Sequence, residues 1–239
     1  MVRELGVIEC IGDGWEQFKQ KMGIGIGGYL LAMLLGLPAL IPYIGWIYGL
    51  FVSPAIAGGM YLLFLHIARG EEAKVDDLFE GFHQYGALIG LQFLMMIAIV
   101  IGLLPGILVM VVLSLGGKMG LAFGIGFLVI NGFALLWLLT RYAMVYFFLM
   151  DHRGLGLFDA LNRSVEITRG NTHNLILLFI SSGLIMIAAF ICLIIPFIFA
   201  VPAMSTAFAI AYHKLRQYEA ERMQAPVQAG DLGAGLTPV

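Results

Sequence analysis

The chain has 239 residues, 61% of them hydrophobic and only 12% charged, with a mean hydropathy of +0.96. Ordinary soluble domains carry about 25% charge, so the composition excludes a soluble globular fold and marks an integral membrane protein. A net charge of -2 offers no basic field for nucleic acid, and two cysteines, Cys10 and Cys192, make no disulfide framework.

Residues 1 to 21 are polar. Glu4, Glu9, Asp13 and Glu16 interrupt what a signal peptide needs as an apolar core. Ile8, Ile11, Trp15 and Phe18 recur at helical spacing, which predicts an amphipathic helix lying in the membrane interface. The apolar block that follows is long enough for two crossings, predicted over 22 to 41 and 45 to 67, with Leu40-Ile41-Pro42 at the turn and Ser53-Pro54-Ala55 in the return helix.

The second polar segment, 69 to 85, places Val75, Leu78, Phe79 and Phe82 on one stripe. Crossings are predicted over 86 to 115 and 121 to 150, and Leu103-Leu104-Pro105 matches the first tripeptide. Extra residues, including Gly116-Gly117-Lys118, mean that the first helix either continues past a proline kink or ends in a lumenal interfacial turn. A third crossing here would make seven helices and put the next basic segment outside, against the positive-inside rule.

The third segment, 151 to 172, aligns Leu157, Phe158, Leu161, Val165 and Thr168 less cleanly. Crossings are predicted over 173 to 195 and 197 to 213, with Ile194-Ile195-Pro196 at the turn and Val201-Pro202-Ala203 beside Ser53-Pro54-Ala55. The tail from Gln217, with its Gly, Ala, Gln and Pro, predicts disorder beyond a short helical extension.

These segments share a core: Trp15-Glu16-Gln17-Phe18, Phe79-Glu80-Gly81-Phe82 and Val165-Glu166-Ile167-Thr168. Glu16, Glu80 and Glu166 are each followed three positions on by Lys19, His83 or Arg169, a helical neighbour pair or simply a solvated face. The expected fold is therefore all-α: an integral membrane six-helix bundle built from three repeats, about 5-68, 71-150 and 155-214, each an interfacial amphipathic helix plus a transmembrane hairpin. Residues 1-216 form one transmembrane domain and 217-239 a disordered cytoplasmic tail. All fifteen acidic residues and eleven of the thirteen Lys and Arg residues fall in the polar segments, which predicts a bacterial inner-membrane protein with both termini cytoplasmic.

Arg141 stands out inside the apolar blocks. Nine residues before Met150, it lies about 13 Å inside the cytoplasmic end of a straight helix, where a cation needs a partner or a wet cavity. Gln92, Ser181, Ser182 and Ser205 fall at comparable depth, so a polar layer around Arg141 serves either as glue between helices or as a substrate or ion site. His66, Asp151, His152 and His173 lie near one face without metal-site spacing, and no nucleophile elbow or phosphate loop occurs, so neither an enzyme nor a cofactor is expected. Glycines four apart, such as Gly23 and Gly27 or Gly102 and Gly106, permit close helix packing within the chain or in a homodimer.

Asp151-His152-Arg153, the stretch Ala160-Leu161-Asn162-Arg163-Ser164 with Thr168-Arg169-Gly170-Asn171, and Tyr212-His213-Lys214-Leu215 carry a resemblance. Over residues 5 to 216 the chain resembles uncharacterised bacterial multi-pass inner-membrane proteins related to the membrane domain of glycerophosphoryl diester phosphodiesterases. The resemblance implies no agreed activity, and the soluble barrel that some relatives carry would need some 200 or more further residues. Together these features predict a protein without catalytic activity that organises or regulates membrane partners or lipids through its cytoplasmic interfacial helices. Membrane lipids are its expected partners, with other membrane proteins and a second copy as further candidates. The alternative is a small-solute or lipid transporter that uses the layer around Arg141.

Overall fold

The computed structural model describes residues 5-152, 154-191 and 194-231; Arg153, Cys192 and Val239 lie outside them. The described residues are helical and contain no strand. The first amphipathic segment is α1 (Val7-Gln20), with Glu9 in its first turn and Lys19 in its last, each opposing the helix dipole at its end. The second is a 3-10 helix over Val75-Gln84, closed at its start by the Lys74 amide donating to Asp77 Oδ2 at 3.0 Å. The third is α8 (Leu157-Thr168).

Between them run the apolar helices α2 (Met22-Gly36), α3 (Ile44-Phe51), α4 (Ser53-Ala68), α5 (Tyr85-Ser114), α6 (Gly117-Tyr142), α7 (Val145-Asp151), α9 (Thr172-Ile191) and α10 (Ile194-Asp231). Among the described residues five stretches are long and apolar enough to cross a membrane: Met22-Leu40, Val75-Ser114, Gly117-Asp151, Thr172-Ile191 and Pro196-Arg222. The chain is thus a multi-pass membrane protein. Large apolar side chains stand exposed along these helices, including Met33 and Leu34 on α2, Ile101 and Leu108 on α5 and Phe123 on α6, as lipid-facing surfaces require.

Several expectations need correction. The helix over 45 to 67 is not one rod but α3 and α4, bent by 42° at a short break, so a sixth crossing exists only if this pair counts as one span. Pro54 explains the break, since its nitrogen cannot donate to the Leu50 carbonyl and its ring collides with it. The helix over 22 to 41 gives up α-geometry at Gly36, where Pro38 starts a 3-10 turn over Leu37-Leu40. The Leu35 carbonyl left at that end accepts the Tyr48 hydroxyl from α3, which matters where no water can bond it. At Pro105 the structure takes the first of the two expected alternatives: α5 continues through it to Ser114 and forms a hairpin with α6. The helix over 121 to 150 breaks at Ala143 and Met144, between α6 and α7.

The α5-α6 hairpin uses its glycines. A Cβ at Gly102 would stand 2.7 Å from Leu135 Cδ1, one at Gly106 2.9 Å from Asn131 Oδ1, and one at Gly124 2.9 Å from Met110 Cα. These positions are spent on packing within the chain, whereas Gly23 and Gly27 have no neighbour within 4 Å.

The buried core lies where α4, α7 and α10 meet. Tyr61 of α4 stacks on Tyr146 of α7 with centroids 4.8 Å apart, and Phe147 of α7 stacks on Tyr212 of α10 at 5.2 Å. Phe148 completes the cluster edge-on to Tyr212 at 5.1 Å.

Candidate functional site

The three amphipathic helices each lie against a membrane helix from elsewhere in the chain. On α1 the buried stripe is Cys10, Gly14 and Phe18, and a Cβ on Gly14 would come within 2.8 Å of Ala207 Cα of α10. On the Val75-Gln84 helix the buried residues are Leu78 and Gly81, and they meet Gly59 and Ala55 of α4 so closely that side chains at Gly59 or Gly81 would strike backbone. On α8 the buried Ser164 donates to the Arg141 carbonyl at 2.7 Å, which satisfies the exposed end of α6. The buried positions Gly14, Leu78 and Ser164 each directly precede the shared core.

A second set of bonds closes these helices into a collar. The Lys21 ammonium donates to the Glu71 carbonyl, the Gln84 amide to the His152 carbonyl at 3.2 Å, and the Leu5 backbone amide to Asn171 Oδ1 at 3.0 Å. In each case a residue at or just past the end of an amphipathic helix holds the chain leading towards another amphipathic helix. Ion pairs reinforce the seats: Lys214 reaches Asp13 at 2.8 Å and Glu9 at 3.7 Å, and His66 Nδ1 lies 2.9 Å from Asp77 Oδ2.

At the centre of the collar sits one nearly buried carboxylate. Asp151 closes α7 with its side chain 9% exposed. Arg69 Nη1, just past α4, donates to its Oδ1 at 2.7 Å, while Arg216 Nη1 and the Tyr212 hydroxyl, both on α10, donate to Oδ2 at 2.6 and 3.0 Å. Burial alone would lower the Arg69 guanidinium, but the hydrogen bond and charge of Asp151 hold it above its ordinary value. Asp151 and Tyr212 belong to the sequence motifs described above, whereas Arg69 and Arg216 belong to none of them. A signal for them exists in His66-Ile67-Ala68-Arg69 and His213-Lys214-Leu215-Arg216, the same His-x-x-Arg spacing at the ends of two membrane helices.

The shared core is split between two faces, with Phe18, Gly81, Ile167 and Thr168 buried. Trp15, Glu16, Phe79, Glu166 and Arg169 are exposed, and Glu80 is half-buried. Of the three acid-base neighbour pairs, Glu80 lies 3.3 Å from His83, and no such contact joins Glu16 to Lys19 or Glu166 to Arg169 among the described residues. His66, Asp151, His152 and His173 are not gathered, since no three His, Cys, Asp or Glu side chains converge among the described residues. Cys10 lies in the collar, where burial pushes its thiol up to about 11 against the opposing pull of Lys214.

The intramembrane polar residues do not form one layer. Arg141 lies with its guanidinium carbon 4.3 Å from the Trp137 ring centroid. Arg141 stands one residue before the end of α6, and its carbonyl accepts the Ser164 hydroxyl of α8. Gln92 lines a cavity of about 500 Å³ together with Tyr61 and Tyr146, whose hydroxyl lies 3.4 Å from Gln92 Oε1. Ser182 and Ser205 line a second cavity of about 440 Å³ that shares Tyr61, Ala143 and Phe179 with the first. Ser181 and Ser205 donate to carbonyls of their own helices, Leu178 at 3.0 Å and Val201 at 2.9 Å.

Comparison with known proteins gives one result. A family described as "Protein of unknown function (DUF975)" matches residues 16-219. This agrees with the resemblance to an uncharacterised membrane family, while no curated protein and no solved structure matches.

Proposed function

We propose that this chain, which belongs to the family of unknown function DUF975, is a non-catalytic protein of a bacterial inner membrane that organises or regulates partners or lipids through its collar. In this reading the bent pair α3-α4 is one span, which makes six crossings, and the collar and both termini face the cytoplasm. The Lys and Arg distribution supports that orientation.

We read the architecture as three repeats. The ties Lys21 to Glu71, Gln84 to His152 and Asn171 to Leu5 support it, because each performs the same task at a corresponding place. On the motif residues alone, we extend the reading to kinship with the membrane domain of glycerophosphoryl diester phosphodiesterases. Two of those residues, Asp151 and Tyr212, are bonded to each other in the collar.

The observation that carries the proposal is where the polar side chains are spent. In the collar they bond across helices distant in sequence, leaving Trp15, Phe79 and Arg169 outward as a surface for partners or lipid headgroups. At membrane depth, Ser181, Ser205 and Thr206 bond their own helices. The transporter reading is favoured by one observation, the two cavities that meet at Tyr61.

Liposomes separate the two readings. The wild type beside Arg141→Ala and Arg141→Lys is screened for solute uptake and lipid movement, with photo-crosslinkers at Trp15 and Phe79 in native membranes as the positive arm. We expect no flux, and crosslinks from the collar that vanish when the crosslinker is moved to Gly23. Flux in the wild type that is lost in folded Arg141→Ala would overturn the collar reading in favour of transport.

A further inference from the structure

The hydroxyls of the membrane helices follow a rule that one residue breaks. Thr140, Ser181, Ser205 and Thr206 each donate to a carbonyl three or four residues earlier in the same helix, which is how such groups are satisfied in hydrocarbon. Ser182, at the middle of α9 and only 4% exposed, has a fully buried hydroxyl with no partner among the described residues. It lines the cavity of about 440 Å³ enclosed by α4, α7, α9 and α10. An unsatisfied hydroxyl in so apolar a place is unfavourable, and a carbonyl of its own helix was within reach of the alternative rotamers its neighbour Ser181 uses.

The rest of the lining says what would satisfy it. No charged side chain borders the cavity, so an ionised ligand is excluded. Phe64, Phe147, Phe179 and Phe208 give aromatic walls, and Met60, Met186 and Met204 give adaptable ones. The volume falls within the range of about 300-1,000 Å³ typical of small-molecule pockets. Water is a poor occupant of so apolar a lining, in which Ser205, its proton given to Val201, is left only as an acceptor.

We propose that this cavity is a binding site for an uncharged, lipid-soluble molecule that carries a carbonyl acceptor on an apolar body, with the Ser182 hydroxyl donating to that carbonyl. The ligand enters from the bilayer, either as the ester end of a neutral glycerolipid or as a quinone ring. The site stands apart from the collar, so binding without flux leaves the proposed function intact.

The test uses the whole protein in nanodiscs, titrated separately with dioctanoylglycerol and with a short-chain alkyl benzoquinone, and followed by thermal stabilisation. We expect saturable stabilisation by one of the two probes, which also identifies the source. Losing one hydrogen bond in Ser182→Ala should weaken that binding about five- to tenfold. Ala57→Leu, which fills the cavity from α4, should abolish it while the unliganded protein melts no lower than the wild type. Absence of saturable binding of both probes to the folded wild type would sink the proposal. So would equal affinity in the wild type, Ser182→Ala and Ala57→Leu.

Discussion

Arg69 and Arg216, far apart in the chain, hold the two oxygens of one carboxylate, that of Asp151, at 2.7 and 2.6 Å. Three membrane helices that share no local sequence are thereby locked at one point. Removing the carboxylate leaves two guanidinium groups facing each other in a poorly hydrated place, so Asp151→Asn should cost about 3-5 kcal/mol in unfolding by denaturing detergent. Tyr212→Phe, which removes one donor and keeps the ring stacking, should cost about 1 kcal/mol. Equal, small losses in both variants would mean that the knot is solvated and contributes little.

The seat of the Val75-Gln84 helix depends on the absence of side chains. A methyl group at Gly81 would meet the Ala55 carbonyl, and backbone cannot step aside as a flexible side chain can. We predict that Gly81→Ala destabilises the protein by about 1-3 kcal/mol. Gly23→Ala, at a helical position with no neighbour within 4 Å, should instead be neutral or stabilise by up to about 1 kcal/mol. Comparing the two by thermal melting separates close packing from the general effect of glycine in a helix.

Cys10 provides a probe of collar integrity. Its folded thiol is raised from 9.0 to about 11, chiefly by burial, so the neutral form is favoured and reacts slowly. The sign follows: this contribution to stability is fully present below pH 9 and is lost as pH rises towards 11. In a Cys192→Ser background, maleimide labelling at pH 7.5 should be slow in the folded protein and fast after denaturation. Asp151→Asn should accelerate it if the knot holds α1 and α10 together. Rapid labelling of the folded wild type would contradict the burial.

The bent pair α3-α4 can be tested by topology. If it forms one crossing, a reporter fused before Met1 reports the same side as one inserted at Glu72 and one fused after Val239. A re-entrant pair would put the reporter before Met1 on the side opposite to the other two.

The parts of this architecture that hydropathy and period control were visible in the sequence. The stripes Ile11-Trp15-Phe18 and Val75-Leu78-Phe82 announced amphipathic helices, and the apolar blocks announced membrane helices close to where α2, α5, α6 and α9 stand. The breaks were harder to see. Pro54 was noticed as a matching residue, but whether a proline kinks a helix, as at Val52, or is absorbed into one, as at Pro105, depends on what takes up the freed carbonyls. The break at Ala143 has no proline, and its end is stabilised by Ser164 from another helix, which no local pattern reveals. The Asp151 knot was hidden for a related reason. Its members lie far apart in sequence, and a single arginine at a membrane boundary reads as a topology signal rather than as a partner.

The seating of α1 on α10 has a consequence for how the protein is made. The first helix of the chain seats chiefly on the last, so until α10 emerges and inserts, Gly14 lacks Ala207 to pack against and Lys214 is not there to meet Asp13. The collar is therefore a clasp that fastens at the end of synthesis, and a chain cut short before residue 194 would keep its other membrane helices while advertising, through an unseated α1, that it is incomplete.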